Sequence, residues 1–224
     1  MALTPEQAII VEPNVKAEAC VIWLHGLGDS GAGFAPVVPM LGLPQDHNVR
    51  FVFPHAPEQP VTINGGAVMR SWYDIKSMNL LDRADMSGVQ ESEAKVKLIL
   101  QDQIESGIPA HRIVLAGFSQ GGVLSLYTGL RYPEKLAGIM ALSCYLPQGD
   151  TLPEGLNDAN QHTAVLQHHG EQDPVVPISA GKMANQALLN AGYDAQWKSF
   201  PMPHSVLPQQ LAEIGQWLSK QLLS

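Results

Sequence analysis

Basic residues are scarce. Thirteen lysines and arginines stand against 21 aspartates and glutamates, a formal net charge of −8 that denies the chain the basic surface nucleic acid requires. Cysteine is nearly absent. Cys20 and Cys144 each sit in an apolar, strand-like run, which points to buried free thiols and away from a disulfide framework. Long apolar runs are missing as well, so stable membrane insertion is not expected. The opening Met1-Ala2-Leu3-Thr4-Pro5-Glu6 has neither the basic nor the apolar segment of a secretory signal, and the expected location is cytoplasmic. Internal repeats, charge blocks and low-complexity linkers are also lacking. What is present is a 45% hydrophobic composition over 224 residues, enough for a single α/β domain spanning 1–224 with a substantial core.

Strand-like runs at about 7–12, 18–25, 49–53, 111–117, 136–142, 163–169 and 194–200 alternate with helical patterns at 88–106, 120–131, 178–191 and 206–222. In the first of these helices Val89, Val96, Ile99, Leu100 and Ile104 keep a helical period, and Gly107 with Pro109 ends it. A shorter helix is expected over 34–41, despite Pro36 and Pro39. Such alternation predicts a mostly parallel sheet of about seven strands with helices on both faces. The short connection around Pro13 and Asn14 predicts that the first strand pairs antiparallel with the second. Residues 54–87 show no clear element, and an irregular stretch of that length is more often functional than idle.

Arg112-Ile113-Val114-Leu115-Ala116 runs directly into Gly117-Phe118-Ser119-Gln120-Gly121, and a helical pattern begins at once. A serine on a sharp strand-to-helix turn is the nucleophile elbow of α/β-hydrolases, where a strained backbone lifts the hydroxyl clear of the sheet. Upstream, Val21-Ile22-Trp23-Leu24 leads into His25-Gly26-Leu27-Gly28-Asp29-Ser30-Gly31. Acyl transfer needs two N–H donors aimed at the developing oxyanion. In this fold they come from the residue after the nucleophile, here Gln120, and from an early glycine-containing loop, here Leu27. A phosphate-binding loop would require Gly-Lys-Ser/Thr, and no lysine is present. His25 is read as holding this loop in shape.

A serine hydroxyl also needs a base and a group to orient that base. The run Thr163-Ala164-Val165-Leu166-Gln167-His168-His169 ends in Gly170-Glu171-Gln172-Asp173, placing Asp173 just beyond a strand's C-terminal end, where open sheets form their sites. Phe200-Pro201-Met202-Pro203-His204 brings His204 to the start of the last helix. The order Ser119, Asp173, His204 matches the fold's nucleophile, acid and base. Glu171 is the competing acid. His168 and His169 are read as packing residues, and with His25 they lack the further ligands of a metal site.

With these segments in place, the chain resembles the carboxylesterase/acyl-protein thioesterase (phospholipase/carboxylesterase) family of small α/β-hydrolases. The resemblance extends to Pro54-His55-Ala56-Pro57, Arg70-Ser71-Trp72-Tyr73-Asp74-Ile75 and His169-Gly170-Glu171-Gln172-Asp173-Pro174-Val175-Val176-Pro177, and covers residues 8–222 without room for a separate lid domain. The stretch from Val61 to Arg70 is similar to the bacterial carboxylesterase branch. Protein-depalmitoylating relatives usually carry phenylalanine where Tyr73 stands, which weakens that alternative. The resemblance implies a serine esterase, with thioesters and lysophospholipids as further substrates. Ser119 would be the nucleophile, His204 the base and Asp173 the orienter, with no cofactor or metal. Some members dimerise, so a homodimer is a further expectation. Trp72, Val176 and the apolar residues near Met78, Leu80 and Leu81 are candidates for an acyl channel, core packing being the alternative. A serine peptidase or acyltransferase, or an inactive binding protein on the same fold, are the competing functions.

Overall fold

The computed structural model describes residues 3–4, 6–79 and 83–223. Its centre is a seven-stranded sheet. In chain order the strands are β1 (Ala8–Val11), β2 (Ala19–Leu24), β3 (Val49–Pro54), β6 (Ile113–Phe118), β7 (Gly138–Leu142), β8 (Val165–Gly170) and β9 (Ala195–Phe200), and they lie side by side as β1-β3-β2-β6-β7-β8-β9. All neighbours from β3 to β9 pair in parallel. The inner strands β2, β7 and β8 are buried at every position. Helices cover both of their faces, so these strands read as continuous apolar runs rather than alternating ones.

The antiparallel first strand is present, but its partner differs from the expectation. β1 pairs with β3, Ala8 facing Pro54 and Val11 facing Phe51. β2 has both edges taken, by β3 and by β6. An entirely apolar strand gains most from the middle of the sheet, whereas β1, with Ala8 buried and Ile10 exposed, suits an edge. Glu12 then meets Arg50 at 3.0 Å across that edge.

The helices are α1 (Gly31–Phe34), α2 (Met86–Glu105), α3 (Gln120–Gly129), α4 (Ile178–Asn190) and α5 (Pro208–Leu222). The helix expected over 34–41 is instead the single turn α1 followed by a 3₁₀ stretch, Ala35–Met40. Pro36 and Pro39 have no N–H to give an α-helical ladder, and the tighter winding accommodates them. α3, buried along its whole length, runs behind the central strands. α5 lays Leu211, Ile214, Leu218 and Leu222 against the opposite face, beside Trp23, Phe51 and Met140.

The segment 54–87 is less irregular than its composition suggests. β4 (Glu58–Val61) and β5 (Ala67–Arg70) form a hairpin apart from the main sheet, with Glu58 opposite Arg70 and Val61 opposite Ala67. Gly65 and Gly66 turn it with φ of 66° and 81°, values that side chains resist. No helix among the described residues is long and apolar enough to cross a membrane.

Candidate active site

Parallel strands deliver their C-terminal ends to one edge of the sheet, and Ser119, Asp173 and His204 follow the ends of β6, β8 and β9 there. Ser119 follows β6 and stands at the N-terminus of α3 with φ 54° and ψ −117°. This is a strained conformation for a residue with a side chain. Its N–H donates to the Leu142 carbonyl at 2.8 Å, and its carbonyl accepts from Val123 at 3.0 Å, so the turn is held from both sides. The glycines around it are obligatory: a Cβ on Gly117 would lie 2.1 Å from the Gly121 carbonyl oxygen, and one on Gly121 2.3 Å from that of Leu24. Strand and helix can approach this closely only without those side chains.

The relay then closes in space. His204 Nε2 is 2.8 Å from Ser119 Oγ, and His204 Nδ1 is 2.6 Å from Asp173 Oδ2. The imidazole rests on the Phe118 ring, centroids 4.7 Å apart. Asp173 Oδ1 accepts from the Val175 and Val176 amides at 2.9 and 2.8 Å. Burial raises the Asp173 pKa, but the hydrogen bonds from His204 and Val176 outweigh it and hold the carboxyl below the ordinary aspartate range. A carboxylate at Oδ2 requires a proton on Nδ1, which leaves Nε2 as the acceptor facing the serine. Glu171 is turned away, accepting from Ser199 Oγ at 2.9 Å.

His25 Nδ1 donates to the Gly26 carbonyl at 2.7 Å, and Nε2 accepts from the Ala56 amide at 3.0 Å. Burial lowers its pKa, in keeping with a neutral ring that braces the loop. The loop lies against the nucleophile: a Cβ on Gly26 would be 3.4 Å from Ser119 Cβ. Leu27, next along, is half-buried. His169 donates to the Val176 carbonyl at 2.9 Å, supporting the acid loop from beneath. His168 packs edge-on against Phe200.

Composition gave no hint of how much the Gln120 side chain does. Its Oε1 accepts from the Trp72 amide at 2.9 Å, and its Nε2 donates to Ser71 Oγ at 2.9 Å and to the Tyr73 carbonyl at 2.6 Å. Trp72 Nε1 donates to the His25 carbonyl at 2.9 Å. Ser92 of α2 donates to the Trp72 carbonyl. Ser71–Tyr73 is therefore a buried strap fastening both loops expected to supply oxyanion donors. Its signal in the sequence was the run Arg70-Ser71-Trp72-Tyr73, which carries no chemistry by itself.

Two of the expected channel residues, Trp72 and Val176, sit elsewhere. Trp72 is 2% exposed and Val176 1%, and both belong to the core. Each is held there by hydrogen bonds of its own backbone or ring. Leu80 and Leu81 lie outside the described residues. A pocket of about 480 Å³ opens between the acid loop and the end of β7, lined by Met78, which was among the candidates, and by Tyr145, Leu146, Val175 and, from α4, Ala180 and Met183. The one-residue shift from Val176 to Val175 reflects Asp173, whose Oδ1 pins both amides and turns the Val176 side chain inward.

The chain is similar to known proteins along nearly its whole length. The family model described as phospholipase/carboxylesterase matches residues 5–222. The acyl-protein thioesterase 1 of Gibberella zeae is 42% identical over 213 residues, covering 91% of each chain. That of Cryptococcus neoformans is 37% identical over 231 residues, covering 95% of this chain and 96% of the relative. Among solved structures, Arabidopsis thaliana SOBER1 superposes with a TM-score of 0.85 at 33% identity, over 92% of this chain and all of the other.

Proposed function

The chain belongs to the phospholipase/carboxylesterase family, and from that premise we propose that it hydrolyses carboxylic esters and thioesters through an acyl-enzyme on Ser119. The observation that carries the reading is the hydrogen-bond relay, 2.8 Å from Ser119 Oγ to His204 Nε2 and 2.6 Å from Nδ1 to Asp173 Oδ2. Ser119 Oγ attacks the carbonyl carbon while His204 Nε2 takes its proton. The tetrahedral oxyanion accepts from the Leu27 and Gln120 amides, and the N-terminal end of α3 adds its dipole. His204 then protonates the departing alkoxide or thiolate. A water, deprotonated by the same nitrogen, releases the acid and restores the serine. Asp173 stays ionised throughout and stabilises the imidazolium.

The apolar pocket beside Asp173 supports a medium acyl chain, because each methylene removed from water contributes about 0.8 kcal/mol. The relatives' name, acyl-protein thioesterase, supports fatty-acylated proteins as a second substrate class. Cytoplasmic location, one domain over the whole chain and assembly as a homodimer remain proposals carried by the sequence and the resemblance. The experiment is a panel of esters, thioesters and amides that share one acyl group. Turnover of the first two with little of the third supports the reading, and preferential amide cleavage would replace it with a peptidase.

A further inference from the structure

The pocket beside the acid loop has an apolar wall with a cation set into it. Arg83 is 5% exposed and lines the pocket with Met78, Tyr145, Leu146, Val175 and Met183. Its Nη1 donates to the Val175 carbonyl at 3.0 Å, and its guanidinium carbon lies 5.3 Å from the centroid of the Tyr145 ring. Its Nε is buried without an acceptor. Among the described residues, the carboxylates nearest along its two attached segments, Asp85 and Asp173, are engaged by Lys76 and His204. A carbonyl and a ring face compensate a buried guanidinium only in part, and a donor left unmet adds to the cost. A pocket serving only a hydrocarbon chain would be better lined there by leucine or methionine.

We propose that Arg83 is a specificity determinant and that the pocket takes acyl groups ending in a carboxylate. The guanidinium, where it lines the pocket, would meet that carboxylate through charge-assisted hydrogen bonds. Tyr145 fixes the guanidinium plane, the Val175 carbonyl fixes its rotation, and the apolar residues hold the methylenes between the ester carbon and the far carboxylate. The inference rests on the reading of this chain as an ester or thioester hydrolase, and narrows its substrates to half-esters and half-thioesters of dicarboxylic acids.

The test compares wild type, Arg83→Met and Arg83→Lys on p-nitrophenyl monoesters of dicarboxylic acids from succinate to sebacate, each beside the fatty acyl ester of equal length. At the best length, the ratio of kcat/KM for the carboxylated over the plain substrate should fall about tenfold or more in Arg83→Met, the weight of a charge-assisted hydrogen bond. It should be partly kept in Arg83→Lys, with plain ester turnover equal or higher in Arg83→Met. An unchanged ratio, or an equal fall on both substrates, overturns the proposal. Binding gives a readout independent of turnover: monomethyl suberate should bind Ser119→Ala more tightly than it binds the Ser119→Ala, Arg83→Met double variant, and equal binding also overturns it. If Ser119 takes no fluorophosphonate and no ester is turned over, the hydrolase reading itself fails. An enzyme that labels and hydrolyses while its ratio ignores Arg83 fails only this proposal.

Discussion

Toward β2, the side chain of Gln120 is closed in by Ser71–Tyr73, and the hydrogen bonds at Trp72 and His25 continue the network to the glycine loop. On the other side, the loop that carries Asp173 borders an apolar pocket that holds a buried guanidinium with an unmet donor. The first region is finished without a ligand and the second is not. Oxyanion stabilisation depends on donors that need no rearrangement at the moment of reaction. Substrate choice depends on surface that a ligand completes. The structure thus separates the groups that perform the chemistry from those that select its substrate, and variants on the two sides should fail differently.

The largest effect belongs to the hinge between them. Ser119→Ala should lower ester turnover by about 10⁵-fold or more while leaving the fold intact, because the covalent step is lost. Ser125→Ala is the control: Ser125 Oγ donates to the Met140 carbonyl at 2.9 Å, a structural bond, so turnover should hold. Next comes the acid. Asp173→Asn should cost up to about 10⁴-fold in kcat by freeing the wrong imidazole tautomer, and Glu171→Gln should change little. The reverse pattern would move the orienter to Glu171.

On the closed side, Gln120→Leu keeps the backbone amide but strands the Trp72 N–H and takes one hydrogen bond each from Ser71 Oγ and the Tyr73 carbonyl, which keep their own bond at 2.6 Å. Thermal unfolding should show a loss of about 3 kcal/mol, and kcat should fall with KM nearly constant. A variant with wild-type stability and kcat would show that the strap does not hold the site.

A pH series separates stability from chemistry. Burial lowers the His168 pKa to about 4, so between roughly pH 6.5, the ordinary histidine value, and pH 4 the unfolded chain binds a proton that the folded chain refuses. The contribution of this residue to stability is therefore complete above that window and lost as pH falls through it. His168→Gln should flatten the profile there by about 3 kcal/mol without altering turnover at neutral pH. An unchanged slope would mean that the ring is hydrated. The smallest effect is on the open side: Met183→Ser should reduce the preference for octanoyl over acetyl esters a few-fold, in line with about 0.8 kcal/mol per methylene, and spare acetyl turnover.

The chemistry was more legible in the sequence than the walls around it. Ser119, Asp173 and His204 each end a recognisable strand, and a parallel sheet necessarily brings such ends to one edge. The partner of β1 was not legible, because the short link near Pro13 is equally compatible with a strand that steps past β2 to the sheet's edge. The hairpin of β4 and β5 was hidden by Pro60 and by the absence of apolar alternation, although Gly65-Gly66 was a turn signal. The pocket draws on Tyr145, Val175 and Met183, from three separate elements. No local pattern records such a meeting, and Trp72 and Val176 were expected there because both are apolar and close in sequence to the site.

The most direct test of the account is covalent. A fluorophosphonate offered to the wild-type protein should add one phosphonyl group, located on Ser119 by peptide mass spectrometry, with labelling lost in Ser119→Ala and strongly slowed in His204→Ala. A protein that stays unlabelled, or is labelled at another residue while its esterase activity disappears, would contradict the account.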